Sequence, residues 1–250
     1  MRAGEARAGT GAHGATGGKP VAYKHMSDTW PRTVPDLVRA WVPGYALSRG
    51  LPPAVEEPWG ARLDVGLPHH RARHVLPDAD EITVRKAAAH IEAAGEPCVW
   101  LKTCLPDETV AGWLGAQWTS NSPGFLMSTA VEPREATAAV PVPAGYALVS
   151  GSQHGVTEVR LVTPDGTVAA TGQMALGRGA ATAVIDQIET DPDHRRRGLG
   201  SVVVRTLIGA AAGAGATDAV LCASVEGRGL YEALGWRTRA PFTSFIHRAM

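Results

Sequence analysis

Residues 188–207 read Ile-Glu-Thr-Asp-Pro-Asp-His-Arg-Arg-Arg-Gly-Leu-Gly-Ser-Val-Val-Val-Arg-Thr-Leu. A strand ends at Thr190 and is broken by Asp191-Pro192, and Arg195 to Gly200 then lead straight into a helix. Leu199, Val203, Leu207 and Ala211 recur every fourth residue, the apolar stripe of a helix lying on a sheet. Gly198 and Gly200 let the chain curl at little steric cost and leave backbone N–H groups open. A helix N-terminus adds unpaired donors and partial positive charge, and the arginines just upstream add forked, charge-assisted donors. Together these are the means of holding phosphate. A glycine loop bearing a solvated arginine run is the alternative, and loop and charges alone leave both open.

Working outward from this stretch, Val156–Thr163 and Thr167–Leu176 flank Pro164-Asp165-Gly166, which predicts a β-hairpin. Ala181–Thr190 reads as a third strand, Asp218–Val225 as a buried strand, Gly227–Trp236 as a short helix ending at Gly235, and Phe242–Arg248 as a last strand. Three strands, helix, strand, helix and strand make an α/β arrangement. Upstream, Pro141, Pro143 and Gly145 mark a linker, because prolines so close forbid helix and weaken a central strand.

The half before that linker carries Trp30, Trp41, Trp59, Trp100, Trp113 and Trp118. Asp36–Leu47 predicts a short helix broken near Pro43-Gly44, and Asp78–Gly95 a longer one capped by Asp78 or Asp80. Cys98–Leu105 and Gly124–Ala130 read as strands. The expected organisation is a disordered leader over 1–22, an α/β lobe over 23–140 and a second lobe over 145–250. No internal repeat shows in the sequence.

Across 250 residues, 24 Lys and Arg balance 24 Asp and Glu, which argues against a protein that lives on nucleic acid or anionic lipid. Hydrophobic residues at 44% suffice for a real core, and 29 Gly with 18 Pro fall short of a low-complexity chain. Cys98, Cys104 and Cys222 form no CxxC and cannot all pair, which excludes a disulfide framework or zinc ribbon and points to a reducing compartment. No apolar run is long enough to span a membrane, and the start lacks the apolar core of a signal peptide. The expectation is a soluble, cytoplasmic protein.

Arg195-x-x-Gly198-x-Gly200, after a strand and opening a helix, resembles the pyrophosphate-binding motif of the GNAT superfamily of acyl-CoA-dependent N-acyltransferases. Ser224 to Trp236 resembles that family's second signature, in which an Asn stands seven residues before a tyrosine and Gly-Phe or Gly-Trp follows. The resemblance covers about 146–250. It implies a mixed-sheet GNAT-like fold there, acetyl-CoA as acyl donor, and a primary amine of a small molecule or peptide as acceptor. It further implies that Ile188, Glu189 and Thr190 run beside the pantetheine arm, and that a backbone N–H near Ile188 polarises the thioester carbonyl. Arg195, Arg196, Arg197, Gly198, Leu199, Gly200 and Ser201 would cradle the pyrophosphate. Ser224, standing where the family has Asn, keeps a polar contact, Tyr231 protonates the departing thiolate, and Asp186 occupies a place where some members carry a base.

The chain departs from the family in one larger respect. After Gly145–Gly151 it runs straight into the hairpin, so the two helices that normally follow the first strand have no room. The expectation is that the N-terminal half supplies the missing wall, as a degenerate GNAT-like lobe with no RxxGxG of its own. His69, His70 and His74 lack a partnering carboxylate or Cys cluster, so no metal is expected. The tryptophans read as core or lobe-interface residues, and Cys222 as packing in a buried strand. The rival function is a non-catalytic acyl-CoA-binding or regulatory module. A nucleic-acid binder built on Arg195–Arg197 is disfavoured by the neutral charge.

Overall fold

A computed structural model describes residues 32–121 and 123–248; the expected leader over 1–22 and Trp30 lie outside them. The first half contributes helix α1 (Val34–Ser48), strands β1 (Val55–Glu57), β2 (Gly60–Leu67) and β3 (His70–Leu76), helix α2 (Glu81–Ala94), β4 (Val99–Thr103), helix α3 (Asp107–Ala111), β5 (Trp118–Asn121) and β6 (Gly124–Ala130). The second contributes β7 (Ala147–Gln153), β8 (Val156–Val162), β9 (Val168–Ala175), β10 (Thr182–Thr190), α4 (Leu199–Gly213), β11 (Asp218–Ser224), α5 (Val225–Ala233), β12 (Arg237–Pro241) and β13 (Thr243–His247). Among the described residues these make a six-stranded sheet in the order β1-β2-β3-β4-β13-β5 and a seven-stranded sheet in the order β12-β6-β11-β10-β9-β8-β7.

The two orders are the same plan. In each half, antiparallel strands lead to one that crosses over through a helix to a parallel neighbour: β3 through α2 to β4, and β10 through α4 to β11. A short helix and one further strand follow, and the last strand of each half leaves for the other sheet. Thus β6 runs antiparallel to β11 from Gly124 opposite Ser224 to Ala130 opposite Asp218, and β12 pairs on its other edge. Reciprocally, β13 lies between β4 and β5. The strand order of the first half therefore repeats that of the second with one antiparallel strand fewer. The two share strands across the linker, which itself runs as irregular chain around Pro141–Gly145.

Helix α1 departs from its expected break at Pro43-Gly44 and continues to Ser48. Pro43 faces solvent, where its missing N–H costs one exposed bond, while Gly44 is buried against β10. A Cβ at Gly44 would lie 2.2 Å from Val184 Cγ2, so only glycine lets the helix approach so closely. On its other side Trp41 stacks on Tyr45 at 4.6 Å and meets Phe242 edge-on at 5.1 Å. Helix α1 thus packs on β9, β10 and β11 and supplies the wall that the second half lacks. Helix α4 covers the same sheet with the expected stripe, Leu199, Val203, Leu207 and Ala211 all being buried. The region around His69–His74, read from sequence only as a histidine cluster, is instead the turn after β2, at His69, and the strand β3.

A fragment beginning at residue 145 keeps β13 without its two neighbours, and loses β6 and α1 from its own sheet. Unpaired strand edges and an uncovered apolar face follow. Such a fragment is expected to aggregate or to lack cooperative thermal unfolding by circular dichroism, whereas 33–250 unfolds in one transition.

Candidate functional site

Strands β10 and β11 pair in parallel only at Thr182–Val184 with Asp218–Val220, although both continue further, to Thr190 and Ser224. Beyond Val184 they splay into a fork. The divergence coincides with a bulge in β10, where the register against β9 shifts between Asp186 and Glu189 and Gln187 has φ 54°. A bulge twists its strand and takes backbone groups out of the ladder, freeing them for another partner.

At the open end of the fork the chain turns through two left-handed residues, Arg196 (φ 64°) and Gly198 (φ 78°), into α4. Gly198 is the N-cap and offers no side chain, and the first turn of α4 holds no acid, so its leading N–H groups stay open. The equivalent helix of the first half is closed: Asp80 caps α2 by accepting from Thr83 N at 2.7 Å, and Glu81 follows. One crossover helix is thus open to an anion, and its copy already carries its own.

A cleft of about 1160 Å³ runs from the fork to this helix end. It is lined by Ile188, Glu189, Thr190, Arg195, Arg196, Gly198, Leu199, Gly200, Ser201 and Ser224, ten of the residues singled out in the sequence. Arg197 stands apart from them, since its guanidinium donates to Tyr146 Oη at 2.8 Å and to Asp193 O at 3.0 Å. It braces the loop against the linker, with Tyr146 Oη in turn 2.9 Å from His194 Nδ1. Arg195 donates from Nε to Thr190 O at 3.3 Å, tying loop to strand. Ser224 Oγ accepts from Gly227 N at 3.1 Å and so caps α5 at the cleft wall.

Tyr231 on α5 is buried against Trp236, and its hydroxyl makes no hydrogen bond among the described residues. Burial first, and then the nearby Asp186 and Cys222, push its phenol well above the ordinary value, so it keeps its proton. Asp186 faces the fork but is engaged: Arg49 Nε and Nη2 reach its two oxygens at 2.7 and 3.0 Å, and Ser48 Oγ lies 3.2 Å away. The pairing with Asp186 in turn raises the Arg49 guanidinium. Ser48 and Arg49, at the end of α1, were not anticipated, because nothing in the sequence signals which sheet that helix joins. Cys222, expected as packing, has an exposed side chain in the fork.

The arrangement defines a class: two GNAT-like lobes around mixed sheets, the second with a parallel fork and an open helix N-terminus. Residues 144–236 match the Acetyltransferase (GNAT) family. Similar solved structures include a GCN5-related N-acetyltransferase from Kribbella flavida (20% identity, 86% of this chain and 95% of that one, TM-score 0.57). A tandem GNAT protein from the clavulanic acid biosynthesis pathway is similar at 14% identity over 72% and 75% of the two chains, with TM-score 0.53. A GCN5-related N-acetyltransferase from Sphaerobacter thermophilus is similar at 13% identity over 86% and 94%, with TM-score 0.53. No curated protein matches the chain. The two-lobed likeness accords with the repeated strand order.

No helix among the described residues is long and apolar enough to cross a membrane, and none of their His, Cys, Asp or Glu groups could hold a metal ion. His74 instead accepts from Trp59 Nε1 at 3.2 Å. Burial, then Arg62 and His90, lowers its pKa from 6.5 to about 4. Below pH 6.5 the unfolded chain protonates this imidazole while the folded one does not, so stability falls as pH drops from 6.5 towards 4. At pH 5 the loss from His74 is about 2 kcal/mol. Urea midpoints at pH 7 and pH 5 are expected to differ in that sense, and His74→Gln, which can still accept from Trp59, to flatten the difference.

Proposed function

We propose that the protein moves an acetyl group from acetyl-CoA to the primary amine of a small molecule or peptide by direct attack on the thioester. The carrying observation is the continuous cleft joining the β10–β11 fork to the uncapped end of α4. The lobe boundary proposed at 141–144 leaves that cleft wholly in the second lobe. The residues fit the donor: Arg195 and Arg196 with the N–H groups of Gly198 to Ser201 hold a diphosphate, and the bulged edge at Ile188 to Thr190 receives an amide-bearing arm. The backbone beside the bulge polarises the thioester carbonyl in a water-poor fork. Arg197 serves indirectly, by fixing the loop through Tyr146.

The amine lone pair forms the C–N bond as the C–S bond breaks. The sulfur leaves with the bonding electrons and takes the proton of Tyr231, whose buried phenol is in the donor state. Asp186 is the group proposed to accept the ammonium proton. Both its oxygens are already engaged by Arg49, so its part is smaller than that of Tyr231.

Two variants separate cofactor binding from chemistry. Ser201→Asp places a carboxylate in the first turn of α4, where it favours the helix but repels a diphosphate. The ligand-free Tm is expected to rise slightly, in line with about 0.3–1 kcal/mol, while the Tm shift on adding CoA disappears. A full CoA shift in that variant would remove the helix end from the site.

Tyr231→Phe keeps the ring against Trp236 and removes the proton. With an accepted amine, kcat is expected to fall on the order of a hundredfold at unchanged CoA affinity, and Asp186→Asn to lower it on the order of tenfold. Turnover undiminished in both would support the rival acid and base of solvent. CoA binding without turnover across amines would support a non-catalytic acyl-CoA-binding module.

A further inference from the structure

The face of the first sheet that meets α1 carries two cations with no carboxylate ion-pair partner among the described residues. Arg73 on β3 is 9% exposed and Lys102 on β4 is 5% exposed. The Arg73 guanidinium lies 4.8 Å from the Tyr45 ring, 5.6 Å from Trp100 and 5.9 Å from Trp41. These π faces favour a cation but carry no counter-charge, and Arg73 Nε is buried with no conventional hydrogen-bond partner among the described residues. Lys102 Nζ donates to Phe242 O at 3.1 Å and Ser244 Oγ at 2.9 Å, lies 4.2 Å from the Phe242 ring and is in hydrogen-bond contact with the Cys222 thiol, none of them a carboxylate.

Both cations stand beside the fork. Cys222 on β11 is an electrostatic neighbour of each, and Asp186 and Arg49 are neighbours of Arg73. Cys222 and Asp186 are also the groups that act on the Tyr231 phenol. The local charge is therefore Arg49, Arg73 and Lys102 against Asp186 and Glu189, both of which act on Arg49, and Asp186 is committed to it. His70, stacked on Trp100, adds no counter-charge: burial first, and then Arg73, Arg49 and Lys102, lower it to about 3, so it is neutral at ordinary pH. Burial likewise lowers Arg73 and Lys102. Buried cations without an anion are costly to a fold, and such a cost is retained where a ligand supplies the missing charge.

We propose that the acceptor is a primary amine that also carries a carboxylate, with the carboxylate held between Arg73 and Lys102 and the amine directed at the fork. The proposal rests on the acyl-transfer reading and specifies its substrate class. Arg73 offers a planar fork of donors that matches a carboxylate, and Lys102 adds a second, compact charge from the neighbouring strand. The first lobe, unable to hold a diphosphate itself, thereby selects what the second lobe acylates.

The test pairs amino carboxylates, with the amine α to ω relative to the acid, with their carboxamides, each offered with acetyl-CoA to the full chain while thiol release is followed. At least one acid is expected to exceed its amide in kcat/KM on the order of a hundredfold, the scale of a lost buried charge pair. Arg73→Met and Lys102→Met are expected to close that gap by raising KM for the acid, with the CoA-induced Tm shift unchanged. Equal rates for acids and amides, turnover of amides only, or a gap that survives both variants overturns the proposal, whereas CoA binding with turnover of neither series overturns the acyl-transfer reading. The comparison of acid with amide uses the native chain, so it stands even where a variant fails to fold. Absence of any CoA-induced Tm shift in the native chain overturns the acyl-transfer reading instead, which keeps the two failures distinct.

Discussion

Backbone hydrogen bonding across exchanged strands is the constraint on which the rest of this structure depends. Strand β6 is interior to the second sheet and β13 is interior to the first, each with a partner on both edges. Every residue of an interior strand has N–H and C=O groups that must be satisfied in the ladder, because water does not reach them. Withdrawing either strand orphans its own groups and one edge of each neighbour. Neither half can be complete without the other, so the relative placement of the sheets is fixed by pairing as well as by side-chain packing.

That fixed placement gives α1 its role. The helix lies against β9, β10 and β11 through a contact only Gly44 permits, and turns Trp41 and Tyr45 towards Phe242 and Arg73. Its last residues, Ser48 and Arg49, then reach Asp186 just before the bulge of β10. A helix encoded more than a hundred residues earlier thus closes one side of the fork. The second half could dispense with helices of its own between β7 and β8 because this wall arrives from elsewhere.

The sequence disclosed the second half well, and for a physical reason. Its hairpin turn, the stripe of α4 and the Arg195–Gly200 loop are local signals, each set by residues a few positions apart, and ten predicted residues line one cleft. What stayed hidden is non-local. Strand exchange leaves no mark in periodicity, since β6 and β13 are largely buried, as a central strand of either sheet would be. The continuation of α1 through Pro43 depends on which face meets solvent, and the partners of Asp186 and Arg197 depend on α1 and Tyr146. The strands around His70 escaped notice because their polar residues face a charged interior that no single segment declares.

The two crossover helices show how a duplicated frame can divide its labour. Helix α4 begins with Gly198 and no acid, so its terminal field is free to act on a ligand, while Asp80 and Glu81 spend the same field on α2 itself. Closing that end stabilises the first half as a platform and removes it from competition for the same anion. The platform's inner face, with Arg73 and Lys102 buried among Tyr45, Trp100 and Phe242, is then the less stable arrangement of the two surfaces α1 joins. Stability alone would favour apolar residues there. A frame that neutralises one helix end yet keeps two cations without a carboxylate partner among the described residues has kept its unbalanced charge on the face turned to the fork.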